Sequence, residues 1–447
     1  MNFFSPIFRW LRPAPNRKKV GARSARYLDS AERSRRIEAP SDPMASSGGR
    51  TPSAPSAPND RIALDAMKSA IRKGFNSTQP VTVARQLHGR QEQMDLLIEG
   101  VLDRGNHAMI FGGRGTGKTS LARVFANVAD NRGYLVFYMA CEPGQSFTSL
   151  IAPFLDAVRS SDARAASAPL APDPAPSLSP RDVVEILADH GQRKFIFVLD
   201  EYDRITDHTV QHELARLMKL LSDAALPVHI IAVGIASGLD QLIEGHESLR
   251  RHVSAIPIVK IETPAVFDLI TRGATYAGLN FTDASRETIA HVACGSPYHV
   301  RLFCALACFE TLRQRKTMVE LSMALTGMIR SVDSWALTNP GNAALFRETI
   351  ALGASDWPLI EKIARAAATT PGGFTLESLD YNADSDTGVM DLLAPALRVH
   401  PDDGEITFRD SLAPQFLLAM LLASQHGDHS SLRVINLMDA HLQSAAL

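Results

Sequence analysis

Cysteine is scarce in this chain. The four cysteines in 447 residues, Cys141, Cys294, Cys304 and Cys308, sit inside apolar stretches without zinc-type spacing. That argues against a disulfide framework and reads them as reduced core residues of a cytoplasmic protein. Long apolar runs are also missing, since none reaches the roughly 18 residues that a membrane-spanning helix needs. Charge of one sign is lacking: 46 Lys and Arg against 48 Asp and Glu leave a net −2. Composition alone therefore gives no electrostatic case for nucleic acid or an anionic membrane. The stretch Met1–Arg12 is interrupted by Pro6 and has no charged start before a long apolar run, so it does not read as a secretory signal. What remains, 45% hydrophobic and 21% charged, is the composition of a globular protein with length for two or three domains.

One stretch organises the rest. Gly112, Gly113, Arg114, Gly115, Thr116, Gly117, Lys118 and Thr119 fit the phosphate-loop pattern G-x-x-x-x-G-K-[ST],. Glycines there let backbone N–H groups converge on a phosphate without a Cβ in the way. Lys118 would reach the β- and γ-phosphates of ATP, and the Thr119 hydroxyl would ligate Mg2+. His107–Phe111 reads as a buried strand entering the loop. Leu121, Val124, Phe125 and Val128 keep helical spacing after it, so a helix presents its positive end to the phosphates, with Ser120 in its first turn.

Strands and helices alternate up to residue 261, which predicts a parallel α/β sheet. Strands are expected at Tyr134–Met139, Phe195–Leu199, Val228–Val233 and Ile256–Ile261, and helices at Ser149–Val158, Val183–His190 and Val210–Ala225. Residues 1–60 are basic and then Ser/Pro-rich, and are expected to be disordered. The core is expected over 61–262, with a surface insertion at 160–180 rich in Ala, Pro and Ser. A helical lid is expected over 263–335, a further α+β domain over 345–425, and a helical tail over 426–447. The only strongly basic segment, Arg9–Arg36, carries ten Lys and Arg, and is the candidate for contact with DNA or acidic lipid.

Asp200 ends the apolar strand Phe195–Leu199, where it can hold Mg2+ through water. Glu201 beside it could orient the attacking water. Together with His88-Gly89-Arg90-Gln91-Glu92, these residues resemble an AAA+ ATPase of the kind found in origin-recognition-type initiators and in bacterial transposition or signalling ATPases. The resemblance covers residues 80–330. It implies a P-loop NTPase sheet with a helical lid, ATP and Mg2+ as cofactors, and an adenine pocket lined by Gly89 and Arg90. It also implies a polar sensor residue after the fourth core strand. Here Gly234 stands where that side chain is expected, with Ser237 as the substitute. Arg250 and Arg251 are candidates for an arginine finger that acts on a neighbouring subunit, which implies a nucleotide-dependent homo-oligomer. The lid arginine position is taken by Tyr298, with Arg301 one helical turn beyond on the same face.

His208 and His212 lack the glutamate of a zinc-protease helix and read as surface residues. Trp357–Ala364, the alternating segments Ala396–His400 and Glu405–Phe408, and a helix at Leu412–Leu422 resemble the winged-helix domain that follows many such cores. Between Asp356 and Asp410, eleven acids face four bases. A net −7 repels DNA phosphates, so a protein partner is expected for this region. The expected function is an ATP-dependent switch or remodeller, in replication or transposition by resemblance. The alternative is a signalling or scaffolding switch whose acidic C-terminal domain binds a protein without touching DNA.

Overall fold

Strands that are apolar at every position need cover on both faces, and the architecture supplies it. The computed structural model describes residues 26–27, 59–161, 177–235, 247–370, 372–379, 387–401 and 404–426. Five strands, β2 (His107–Phe111), β3 (Leu135–Ala140), β4 (Phe195–Asp200), β5 (Val228–Gly234) and β6 (Val253–Pro257), form a parallel sheet in the order β3-β4-β5-β2-β6. A two-residue strand, β1 (Arg26–Tyr27), pairs in parallel with the outer edge of β3. It lies within the segment expected to be without order, whose other residues up to 58 fall outside the described ones.

On one face, α2 (Gln91–Leu97) and α3 (Lys118–Asn131) bury Leu97, Leu121 and Phe125 against Ile110, Val136, Val198 and Val233. On the other, α4 (Phe147–Ser160), α5 (Pro180–Ala188) and α6 (His208–Asp223) cover Phe137, Phe195, Phe197 and Leu199. Phe154 of α4 stacks on Phe197 with ring centroids 4.7 Å apart. Ser146 and Ser179 cap the starts of α4 and α5, accepting from the N–H groups of Ser149 and Asp182,. This is the α/β P-loop NTPase-like fold expected from the sequence. Most of the expected 160–180 insertion (162–176) lies outside the described residues.

The last core strand sits earlier than expected, at Val253–Pro257 in place of Ile256–Ile261. Ser254 and Pro257 interrupt the apolar pattern, yet β6 pairs with β2 from Val253↔His107 to Pro257↔Phe111. Ile258 then donates its N–H to the Phe111 carbonyl at 2.7 Å.

Beyond the sheet, α7 (Thr263–Ala277), α8 (Asp283–Ala293), α9 (Pro297–Arg313) and α10 (Leu321–Thr338) make up the helical region expected as a lid, with a short parallel pair β7 (Asn280–Phe281) and β8 (Met318–Val319). The N-terminal helix α1 (Asn59–Gly74) packs on this lid. Gly74 and Gly273 make the approach close: a methyl on Gly74 would stand 2.5 Å from the Gly273 carbonyl oxygen. The C-terminal elements are α11 (Pro340–Ile350), α12 (Trp357–Thr369), α13 (Thr387–Leu393), the antiparallel hairpin β9 (Leu397–Val399) and β10 (Ile406–Phe408), and α14 (Ala413–Gln425). Lid and C-terminal elements share one hydrophobic core. Trp335 of α10 stacks on Phe346 of α11 and on Phe416 of α14, with centroids 5.6 and 4.9 Å away. Residues 427–447, expected as a helical tail, lie outside the described residues.

Candidate nucleotide-binding site

The loop between β2 and α3 is shaped by its glycines. Gly112 has φ 153°, and a methyl on it would stand 2.1 Å from the Ile258 carbonyl oxygen. No other residue fits that approach. Gly117, at φ 95°, precedes α3 and turns the chain so that the helix N-terminus faces the loop,. Lys118 closes over it. Its Nζ donates to the carbonyls of Gly112 at 2.9 Å and Gly113 at 2.8 Å. Burial lowers the Lys118 pKa to about 8, while Asp203 and then Asp200 act to raise it,.

Thr119 and Asp200, 81 residues apart in sequence, meet: the Thr119 hydroxyl donates to Asp200 Oδ1 at 3.2 Å. Asp200 is buried at the end of β4. Its Oδ1 also accepts the Glu201 N–H at 3.0 Å, and its Oδ2 accepts the Tyr138 hydroxyl at 2.5 Å. A hydroxyl and a carboxylate are the hard oxygen groups that suit Mg2+, and Thr119 and Asp200 are the residues that would hold it here. Glu201 has a left-handed backbone, φ 55°, and its half-exposed carboxylate pairs with Arg204 at 2.9 Å.

Arg90 is buried and bound to backbone. It donates to the Thr116 carbonyl at 3.0 Å and also to the Val259 carbonyl, bracing the phosphate loop against the exit of β6. Burial brings its pKa to about 10. A methyl on Gly89 would stand 2.7 Å from Ala265 Cβ, so the Gly89-Arg90 turn fits directly against α7. Thr116 is buried and its hydroxyl donates to the Gly113 carbonyl at 2.8 Å; Arg114 is exposed.

Other sequence candidates fall elsewhere. The Ser120 hydroxyl accepts the Val81 N–H at 3.1 Å. Arg301 is buried and donates to the Gln86 carbonyl at 2.9 Å, near His88, which binds Asp268 at 2.7 Å. Arg250 and Arg251 precede β6. The parallel register puts them at the end of the sheet opposite the chain's own loop, about 15 Å away along a five-residue strand. Ser237 lies outside the described residues.

Where a polar residue was expected after β5, the carboxylate of Asp203 is present instead. Its Oδ1 accepts the Ile235 N–H at 3.0 Å, and a methyl on Gly234 would stand 3.1 Å from that same oxygen. On the lid side, a methyl on Gly115 would stand 3.1 Å from Leu412 Cδ2 and 3.2 Å from Ser296 Oγ. The C-terminal elements thus touch the phosphate loop.

Residues 86–231 match the AAA ATPase domain. No curated protein matches the sequence. Among solved structures, the chain is similar to the Walker-type ATPase PABY2304 of Pyrococcus abyssi at 15% identity, covering 76% of this chain and 99% of that one, with a TM-score of 0.45. The Cdc6p structure from Pyrobaculum aerophilum gives 14% identity, coverages of 79% and 98%, and a TM-score of 0.46. The Thermotoga maritima RuvB Holliday junction branch migration motor gives 15%, 74%, 95% and 0.40.

Tyr138 and Asp203 were not singled out from the sequence. Tyr138 carried a signal, because it is the one polar residue in the apolar run of β3. The register Tyr138↔Val198 and Ala140↔Asp200 puts its side chain on the face of Asp200,.

Proposed function

We propose that this chain binds and hydrolyses ATP and acts as a nucleotide-dependent molecular switch. The observation that carries this reading is the meeting of Thr119 and Asp200 at 3.2 Å beside a loop whose Lys118 rests on its own carbonyls. In the reaction we envisage, Lys118 leaves the Gly112 and Gly113 carbonyls for the phosphates. Thr119 and Asp200 would hold Mg2+, which when bound would neutralise charge on the β- and γ-phosphates. Glu201 releases Arg204 and orients a water whose oxygen attacks the γ-phosphorus as the bond to ADP breaks, giving ADP and phosphate. Arg250 or Arg251 completes the site of a neighbouring copy, since neither reaches its own.

By likeness of its motifs, the switch would act as a remodeller in DNA replication or transposition, with DNA contact through the basic segment Arg9–Arg36. A second reading, a signalling switch with a protein partner, is favoured by one contact. Leu412, at the start of α14, lies against Gly115, in a C-terminal region of net −7. Such a contact links the nucleotide site to a region whose net charge repels DNA,.

ATP turnover of the wild type and of Glu201→Gln, with and without DNA at two salt concentrations, separates the readings. Turnover that DNA stimulates and Glu201→Gln abolishes supports the remodeller. Turnover indifferent to DNA but raised by Leu412→Ala supports the signalling switch. No turnover in any condition contradicts both.

A further inference from the structure

The four residues after β6 form a strap along the nucleotide site. Ile258 bonds Phe111 and crowds Gly112, the Val259 carbonyl accepts Arg90, and the Ile261 N–H donates to the Gly295 carbonyl at 2.9 Å. The strap therefore runs from the first residue of the phosphate loop to the turn that opens α9. Lys260 is its only charged residue. The side chain leaves toward the lid, where a methyl on Gly295 would stand 3.0 Å from Lys260 Cβ.

Among the described residues, the surroundings of this side chain suit an anion and supply none. Its charged neighbours, Lys118 and Arg90, are cations. Cys294 beside it is held as a neutral thiol by burial, its pKa pushed up to about 11. Buried His299 is held neutral too, its pKa well below the usual value through burial and through Lys260 itself. Among the described residues Lys260 makes no ion pair, and burial takes its own pKa down to about 8. A part-buried ammonium within the field of two further cations is costly until an anion arrives,. On the same side of the site, Tyr298 stands where a lid arginine was expected, and Arg301 is committed to the Gln86 carbonyl.

We propose that Lys260 is a second phosphate-binding lysine, reaching from the strap between loop and lid to grip the phosphates of a nucleoside triphosphate together with Lys118. This rests on the reading of the site as a nucleotide site.

The test is calorimetric titration of Mg2+-ATP and Mg2+-ADP into the full chain as wild type, Lys260→Met, Lys260→Arg and Lys118→Ala, with the melting temperature of each empty protein. Methionine keeps the aliphatic stem and removes only the charge. Lys260→Met is expected to weaken ATP binding by about 10- to 100-fold, the scale of a charge-assisted phosphate contact. Lys260→Arg, which keeps the charge, is expected to stay within about threefold of wild type. The empty Lys260→Met protein is expected to melt higher than wild type, because a part-buried cation with no ion-pair partner among the described residues is gone. Wild-type affinity in Lys260→Met overturns the proposal. So does a joint loss of affinity and melting temperature in both Lys260 variants, which marks a packing role. A wild type that binds neither nucleotide overturns the reading of the whole site, and is told apart by Lys118→Ala matching the wild type.

Discussion

Asp200 spends both of its oxygens on hydrogen bonds from Thr119, Glu201 and Tyr138, so its orientation is set by the fold itself. Tyr138→Phe removes one of those donors from a buried carboxylate. We expect about 1.5–3 kcal/mol of lost stability, the usual worth of a hydrogen bond to a charged group. We also expect a several-fold rise in the Mg2+ concentration that gives half-maximal turnover. Chemical denaturation and a Mg2+ titration check the two parts. A second residue-scale prediction concerns the far end of the sheet. His107 accepts the Ile230 N–H and binds the Met218 carbonyl, and burial lowers its pKa to about 3; burial takes the nearby His229 to about 4. Both rings are neutral in the fold and charge readily once unfolded. Their contribution is therefore fully present above the unfolded value near 6.5 and is lost as pH falls toward 4 and then 3. The melting temperature should drop between pH 6.5 and pH 4, with a shallower slope in His107→Ala than in wild type. At this scale the phosphate loop and the Asp200-Glu201 pair were legible, because local spacing carries them. Tyr138 left only a faint mark and Asp203 none, because strand pairing brings the one to Asp200 and the other to the end of β5.

Among the elements, β5 ends on Gly234 where a polar side chain was expected. Asp203, from the turn after β4, fills the adjoining space and takes the Ile235 N–H. Supplying the missing residue as Gly234→Asn should therefore destabilise, by the roughly 1–3 kcal/mol of an overpacked site, and should not improve turnover. Thermal melting and turnover of that one variant check both statements. The displaced boundary of β6 has a comparable cause. Ser254 faces the backbone of Gly100, where a methyl would stand 2.3 Å from its Oγ. A polar residue was admitted there by close packing that no hydropathy pattern reveals. The central strands β2, β4 and β5 and the helices around them were legible because burial on both faces forces continuous apolar runs.

At the scale of the whole molecule, the phosphate loop and the two candidate finger arginines stand at opposite ends of the sheet. The phosphate loop follows the C-terminal end of β2, and Arg250 and Arg251 precede the N-terminal end of β6. If a neighbour's arginine completes each site, the double variant Arg250→Ala, Arg251→Ala should keep ATP affinity and lose turnover by the roughly 1,000-fold or more that arginine fingers supply. Mixing it with Lys118→Ala protein, itself inactive but with both arginines intact, should restore part of that activity. The lid and the C-terminal elements act as one packed unit through Trp335, Phe346 and Phe416. Sequence pattern divided them because a shared core leaves no mark on the spacing of either part.

The central claim is that Lys118 exchanges the carbonyls of Gly112 and Gly113 for nucleotide phosphates. Titrating Mg2+-ATP into wild type and Lys118→Ala tests it most directly. Saturable one-site binding by the wild type, weakened at least about tenfold in Lys118→Ala, is the result expected. Equal binding by both proteins, or none by the wild type, would contradict it.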